Sequence, residues 1–293
     1  MKNLLIAFIL CLGISAVAQH RVGVRAGLNY SKFTGPLEVG ESYDLTGGFH
    51  FGINYTYEFN DVFGLRAEVL YTQRGTEQTY NDDDSYYIIN PISPTQAVTV
   101  VSQGNVDYNI KISNATLSLP VTANYRISRK FEIFGGASLD FVIGPTGRGK
   151  VKFEHPTDTN LIFTQSFDHK YNSDVPGQYN TFLPLQDNVQ VELNGERVFL
   201  PRIIGAYYNY PFLPPEEDMP SRINSIDANL IAGINYYINS GFYLGARLEY
   251  GLLDSTNDVI DKSLKSLDDN NDFIFREDSD KSIGVAISFG FKF

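Results

Sequence analysis

The chain has 293 residues, a formal charge of −11, 19 Tyr and 21 Phe beside no Trp, and a single cysteine, Cys11. That acidity argues against nucleic acid as a partner. One cysteine excludes a disulfide framework, and after the N-terminal run no stretch of about 18 apolar residues announces a membrane helix.

Residues 1–18, MKNLLIAFILCLGISAVA, open with Lys2, continue as an apolar run and end on Ala16-Val17-Ala18. This is the form of a secretory signal peptide cut after Ala18. Cys11 lies inside it and is a poor lipidation site, because Ile9 and Leu10 stand where small residues are needed. The mature chain, 19–293, is read as one domain. An exported chain rich in aromatics and poor in helical periodicity leaves a secreted β-sandwich or an outer-membrane barrel.

Eight segments then alternate apolar and polar residues, the period of a strand with one apolar face. The first, 22–33, sets Val22, Val24, Ala26, Leu28 and Tyr30 against Gly23, Arg25, Gly27, Asn29 and Ser31. The second, 43–59, sets Phe49, Phe51, Ile53, Tyr55, Tyr57 and Phe59 against His50, Asn54, Thr56 and Glu58. The third, 62–74, opposes Phe63, Leu65, Ala67 and Val69 to Arg66, Glu68, Thr72 and Arg74, with Leu70 an apolar exception on the polar face. The fourth ends at 127 and opposes Leu117, Leu119, Val121 and Tyr125 to Ser118, Thr122 and Asn124. The fifth, 130–143, opposes Phe131, Ile133, Leu139 and Phe141 to Glu132, Ser138 and Asp140. The sixth (226–238), seventh (241–252) and eighth (281–293) repeat the pattern, with Asp227, Arg247, Glu249 and Lys292 on the polar side.

Short and long connections alternate. Asn60-Asp61, Ser128-Arg129 and Asn239-Ser240-Gly241 read as tight turns, whereas 34–42, 75–105, 144–225 and 253–280 are long. Eight strands of at least about nine to eleven residues suffice to cross a bilayer. The expected fold is an all-β, eight-stranded antiparallel up-and-down transmembrane β-barrel with long extracellular loops. Short turns and both termini then belong in the periplasm. Aromatics near strand ends, among them Tyr30, Phe33, Phe59, Tyr125, Phe131, Tyr236 and Phe293, are expected at headgroup level.

The polar faces would meet inside a narrow barrel, where unpaired charge is costly. Arg25, Arg66, Glu68, Asp140, Asp227, Arg247 and Glu249 are therefore expected to form an interior ionic network. Catalysis has weak support. His50 faces inward, and His155 and His169 share a loop without ligand rhythm. GPTGRGKV, 144–151, has Val151 where a phosphate loop needs Ser or Thr, and reads as a Gly-rich strand exit. DDNND, 268–272, lacks the glycine of a calcium loop. No enzyme activity, metal or cofactor is expected.

The long loops carry the rest. VQVELNGERVFL, 189–200, is a hairpin around Asn194-Gly195. Tyr207, Tyr208, Tyr210, Phe212 and Leu213 form an aromatic patch expected to contact a partner or to fold over the barrel mouth. Residues 97–113 are expected to extend the fourth strand beyond the membrane as part of a hairpin, and the acidic fourth loop, between Asp254 and Asp280, to hold a short helix near 257–267.

GLNYSKFTG (27–35), LRAEVLYTQRGTE (65–77), LSLPVTANYRI (117–127) and the terminal FGFKF resemble the outer-membrane β-barrel domain of Bacteroidota, small OmpA-like barrels that include the PorT-like proteins. Many of those carry Glu two residues before the strand-four proline; this chain has Ser118 before Pro120. The resemblance implies an eight-stranded outer-membrane barrel and, in some relatives, assistance to protein secretion. It also implies that Phe289, Phe291 and Phe293 form a signal read by the barrel-assembly machinery. The expected function is a non-enzymatic accessory or scaffold, embedded in outer-membrane lipid, docking a larger outer-membrane complex through its loops. A small-solute or ion pore, an outer-membrane hydrolase and a PorT-like secretion accessory are the alternatives.

Overall fold

The structure is a computed structural model that describes residues 19–92, 99–171, 184–205, 221–257, 261–269, 273–276 and 278–293. The signal-peptide reading of 1–18 lies outside the described residues. Among those described, no helix is long and apolar enough to cross a membrane; the fold is all-β and strand-rich.

The strands in chain order are β1 (Gln19–Thr34), β2 (Glu41–Asp44), β3 (Thr46–Glu58), β4 (Phe63–Ile89), β5 (Val100–Arg126), β6 (Phe131–Glu154), β7 (Ile162–Lys170), β8 (Val189–Leu193), β9 (Glu196–Leu200), β10 (Ile203–Ile204), β11 (Ile226–Tyr237), β12 (Phe242–Gly251), β13 (Lys262–Leu267), β14 (Phe273–Phe275) and β15 (Lys281–Lys292). The eight alternating segments are β1, β3, β4, β5, β6, β11, β12 and β15. Each pairs antiparallel with its sequential neighbour among the eight. β15 also pairs with β1 over twelve positions, from Gly23 opposite Lys292 to Thr34 opposite Lys281.

Three short links are built by their own side chains. Asn60 Oδ1 accepts from the Val62 and Phe63 amides, Ser128 Oγ from those of Lys130 and Phe131, and Asn239 Oδ1 from those of Gly241 and Phe242. Asx and Ser turns of this kind reverse the chain tightly, and all three lie at one end, here the turn end.

Next to the turns the sheet's outward side chains are apolar and open: Leu248 is 62% exposed, Ile53 58% and Phe289 55%. Soluble monomers rarely show a contiguous apolar surface beyond a few hundred Å², so this band calls for a nonaqueous neighbour. Aromatic contacts gather at its turn-end edge, where Phe59 meets Tyr57 and Phe63, Phe131 meets Tyr236, and Phe291 meets Phe293. Phe33 departs from the expected girdle. It is buried and packs edge-on against Tyr43, because as an odd-numbered residue of β1 it shares the inward face of Arg25, Asn29 and Ser31.

Toward the loop end β4, β5 and β6, of 27, 27 and 24 residues, run far past the band. β4 and β5 stay paired up to Ile89 opposite Val100, so the expected extension of the fourth strand is present. The Gly-rich stretch from 144 does not leave the sheet but continues β6 to Glu154 and pairs with β5 and β7. There the inward side chains are apolar: Tyr80, Tyr87, Ile110, Ile112, Val151, Phe153, Phe163 and Phe167 form a core with Val191, Leu193 and Leu200 of the β8–β9 hairpin. Asn194 and Gly195 supply the positive φ of 54° and 82° that the hairpin turn requires. The described part of 257–267 holds strand β13, paired with β14, rather than the expected helix; Leu264 and Leu267 stand three apart, a helical rather than a strand spacing, so pairing with β14 and not the local pattern makes the segment extended.

Candidate functional site

Two regions concentrate polar chemistry. The first is the sheet interior behind the apolar band. Arg25 of β1 donates from Nη1 to both carboxylate oxygens of Glu68 of β4 at 2.9 Å. Glu68 also lies 3.4 Å from Arg247 of β12, which pairs with Glu249 at 2.5 Å. Arg74 bridges Glu249 and Asp140 of β6, both at 2.6 Å. Six ionised side chains thus form one continuous line between strands far apart in the pairing order. Asp140 also accepts from Asn229 at 2.9 Å. Nearer the turns Arg66 pairs with Glu132 at 2.7 Å, and Asn235 and the Tyr237 hydroxyl donate to the same carboxylate. Lys292 meets Glu58 there. A buried carboxylate that kept only one of these partners would be strongly destabilising, which is why the charges occur as a network.

Of the expected ionic set, Arg25, Glu68, Asp140, Arg247 and Glu249 join in that line, while Arg66 belongs to the separate cluster around Glu132. Asp227 is different. It stands opposite Asp140 in the register and accepts from Ser282 at 3.0 Å instead of taking an arginine. Arg74 and Glu132 were legible as inward residues, but not that Arg74 joins Glu249 to Asp140 or that Glu132 gathers Arg66, Asn235 and Tyr237. Of the two i,i+2 pairs, Arg247 does meet Glu249 on its own strand, whereas Arg66 reaches across to Glu132 of β6. Aromatics complete the filling: Arg25 lies 5.8 Å from the Phe134 ring and 5.9 Å from that of Tyr243. A Cβ on Gly290 would sit 2.3 Å from Tyr243 Cζ, so glycine is required for that ring to lie flat on the wall.

His50 is the one histidine inside this region. It pairs through Nδ1 with Asn29 Oδ1 at 2.7 Å and through Nε2 with Ser288 Oγ at 3.2 Å. The order Ser–His–Asn has the logic of a nucleophilic triad. Ser288 is only 2% exposed, and Asn29 spends its amide on Thr72 and on the Phe49 and Gln73 carbonyls. With no room for a substrate at Ser288, the three residues are a structural hydrogen-bonded chain. His155 Nδ1 accepts from the Asp158 amide at 3.0 Å and shapes a turn. His169 is buried edge-on against Tyr171, and burial followed by the charge of Arg222 holds it down to about 4.

The second region is the seam between band and loop-end core. Tyr43 donates to Asp280 Oδ2 at 2.8 Å. Arg276 donates to Glu41 at 2.9 Å and to the Pro36 carbonyl at 3.1 Å, and also meets Asp278. Asp261, Asp278 and Asp280 converge so that one oxygen from each lies within 4.8 Å of the others. Burial pushes Asp278 up to about 6 and Asp280 up to about 7. The seam ties residues 36–43 to 254–280. The expected partner-contact residues Tyr207, Tyr208, Tyr210, Phe212 and Leu213 lie outside the described residues. Phe289 and Phe291 stand outward on β15, and Phe293, 67% exposed, follows it.

Among solved structures, the chain is similar to the attachment invasion locus protein Ail of Yersinia pestis in complex with the heparin analogue sucrose octasulfate. The identity is 14%, with 94% of this chain and 99% of that one covered, at a TM-score of 0.35. It is similar also to Neisserial surface protein A at 13% identity, 94% and 99% coverage and a TM-score of 0.35. OprG from Pseudomonas aeruginosa follows at 11% identity, 93% and 95% coverage and a TM-score of 0.32. No curated protein matches the chain. The apolar outward band, the polar inward faces and the antiparallel pairings agree with the family model that matches residues 17–257, and the chain belongs to the outer membrane protein beta-barrel domain family.

Proposed function

We propose that this outer-membrane protein is a scaffold: an eight-stranded barrel, closed by β1 and β15, that holds a folded cap outside the cell for a larger outer-membrane assembly to dock on. Short turns and both termini face the periplasm in this reading, and Phe289, Phe291 and Phe293 present the assembly signal on the last strand. The observation that carries it is the length of β4, β5 and β6. About eleven residues of each cross the bilayer; the rest of β5 alone, at roughly 3.3 Å per residue, adds on the order of 50 Å of strand. A chain that only needed to close a pore has no use for that length. The filled interior weighs against conduction, since eight strands leave space only for side chains. Service to protein secretion, which the PorT-like resemblance implies, is one form of the same role, and the aromatic residues 207–213 are the contact we expect a partner to use.

The test is purification of the native protein from outer membranes in mild detergent, beside a variant in which 79–109 are replaced by a two-residue turn. Near-stoichiometric capture of a large outer-membrane protein by the full chain, lost with the cap while the barrel keeps its heat-shifted gel mobility, supports the reading. Equal capture by both forms rejects the cap as the docking surface. Steady conductance in planar bilayers, altered by Arg66→Ala or Arg247→Ala, would establish the pore instead.

A further inference from the structure

The seam between band and cap carries more negative charge than its cations cover. Glu41, Asp254, Asp261, Asp278 and Asp280 meet there through shared partners. Thr256 Oγ1 donates to Asp254 at 3.0 Å and to Asp280 at 3.4 Å, and Arg276 reaches Glu41, Asp278 and, at 3.9 Å, Asp261. Arg222, 3.7 Å from Asp261, is the second cation. Five carboxylates against two guanidiniums leave a surplus of three negative charges, in a place where Asp261 is 5% exposed and Asp280 1%. Glu38 and Lys262, from the wall of the adjoining cavity, offset each other and leave that surplus unchanged. Buried charge without its counter-charge is costly. The oxygens are also only half used. Tyr43 and Thr256 donate to Oδ2 of Asp280, and Arg276 donates to Oδ2 of Asp278. The Oδ1 atoms of Asp278 and Asp280 are buried and accept no hydrogen bond among the described residues.

We propose that Asp261, Asp278 and Asp280 bind one calcium ion, which ties the start of β13 to the segment that leads into β15. One oxygen from each of the three lies within 4.8 Å of the others. Two oxygens on opposite sides of a calcium ion, each at about 2.3–2.6 Å, stand about 4.6–5.2 Å apart, so one ion fits among the three. Asp261 also lines the cap cavity of about 80 Å³. At roughly 10–15 Å³ for each water-sized position, that cavity can supply the waters that complete a calcium shell of about six to eight oxygens. The donor set is carboxylate alone, which suits a hard cation and not zinc or copper. Magnesium asks for a near-ideal octahedron and sheds its waters reluctantly, so a buried site with three carboxylates favours calcium. The site needs no docking partner, so it stands or falls separately from the scaffold role.

The experiment is titration of the full-length protein, in detergent free of lipopolysaccharide and stripped of metal by a chelator, first with terbium and then with calcium. Tyr43 is hydrogen-bonded to Asp280, so terbium in the site is excited through that tyrosine. The expected result is luminescence that saturates at one ion per chain. Calcium should displace it with a dissociation constant on the order of 10⁻⁴ M, and magnesium only at concentrations at least about tenfold higher. Asp261→Asn and Asp278→Asn should each weaken binding by about tenfold to a hundredfold. Each removes one of three like charges, so in chelator the cap of either variant should resist trypsin at least as well as the wild type, which checks that it is folded. The proposal is overturned if calcium does not displace the terbium saturably, if magnesium displaces it at the same concentration, or if both folded variants bind like the wild type, the mark of an adventitious ion only.

Discussion

The same three strands make two opposite environments. Within the band, β5 turns Leu117, Val121 and Tyr125 outward and buries Ser118, Thr122 and Asn124; beyond it, Asn109 and Lys111 are exposed while Ile110 and Ile112 are buried. β5 achieves the inversion by composition alone, without changing phase. β6 does it differently. Its odd-numbered residues are apolar throughout, exposed from Phe131 to Leu139 yet buried at Val151 and Phe153. The phase flips where the pairing slips, between Ala115 opposite Gly144 and Thr116 opposite Val142, so that β6 carries one extra residue. A one-residue bulge sends every later side chain to the other face. β4 has its own slip between Asp82 and Ser85, after which Tyr87 and Ile89 point inward. What differs between the two regions is the surrounding medium, lipid or water, and β4 and β6 match each by turning over while β5 changes its composition.

The largest effect is expected from removing the device that does this. Deleting Ile143 restores an even register and should rotate Val151 and Phe153 out of the cap core while leaving 131–142 in place. The cap should then be cut by trypsin under conditions in which the band remains folded by gel mobility. A cap that stays resistant would mean that the inversion does not depend on the bulge.

The next effects separate the two interiors. Glu68→Leu leaves Arg25 and Arg247 buried without their shared carboxylate and should cost about 3–5 kcal/mol, read as a lower urea midpoint of the whole barrel. Phe153→Ala removes the ring that contacts Tyr87 at 5.4 Å and Phe163 at 5.5 Å. Its cost, also about 3–5 kcal/mol, should appear as faster proteolysis of the cap, with the barrel midpoint unchanged. Equal global shifts would show that band and cap unfold as one unit.

This division also explains what was readable from the chain. The band was legible because its side chains obey a strict period of two against two different media, and Arg66, Glu68 and Arg247 were legible as inward charges for the same reason. Their partners were not. Glu68 meets Arg25 and Arg247, which lie 43 and 179 positions away, and period alone carries no register across the lumen. The cap was hidden for a further reason. Its apolar residues continue the odd-numbered rhythm of β6, so the bulge that reassigns them leaves no mark on the alternation, and β13 spaces its two leucines three apart, which does not read as a strand.

A smaller effect, dependent on pH, is expected at the seam. Asp280 is raised from 3.8 to about 7. Between those values the native state holds a proton that the unfolded chain has released, so stability falls as pH rises through the window. The penalty is complete above about 7 and absent below about 4. Asp280→Asn, which keeps an acceptor for Tyr43, should therefore protect the cap by about 1–3 kcal/mol at pH 8 and by nothing at pH 4, read as trypsin half-life against pH with a protease control at each value. Equal protection at both ends would mean that the charge of Asp280 is not what is being relieved.

The smallest expected change lies in the β8–β9 hairpin, which covers the cap core with Val191, Leu193 and Leu200 but is paired with no strand of the main sheet. Gly195 holds φ at 82°, with nothing within 4 Å of where a Cβ would stand. Gly195→Ala therefore meets no clash and pays only for its backbone, about 1 kcal/mol. Amide exchange at Leu193 and Glu196 should quicken about fivefold, while that of Phe153 beneath them stays slow. If Phe153 quickens as well, the hairpin is not a lid resting on a finished core but part of what holds the core together, and the cap is then a single cooperative unit whose stability reaches from the turn at Asn194 down to the bulge at Ile143.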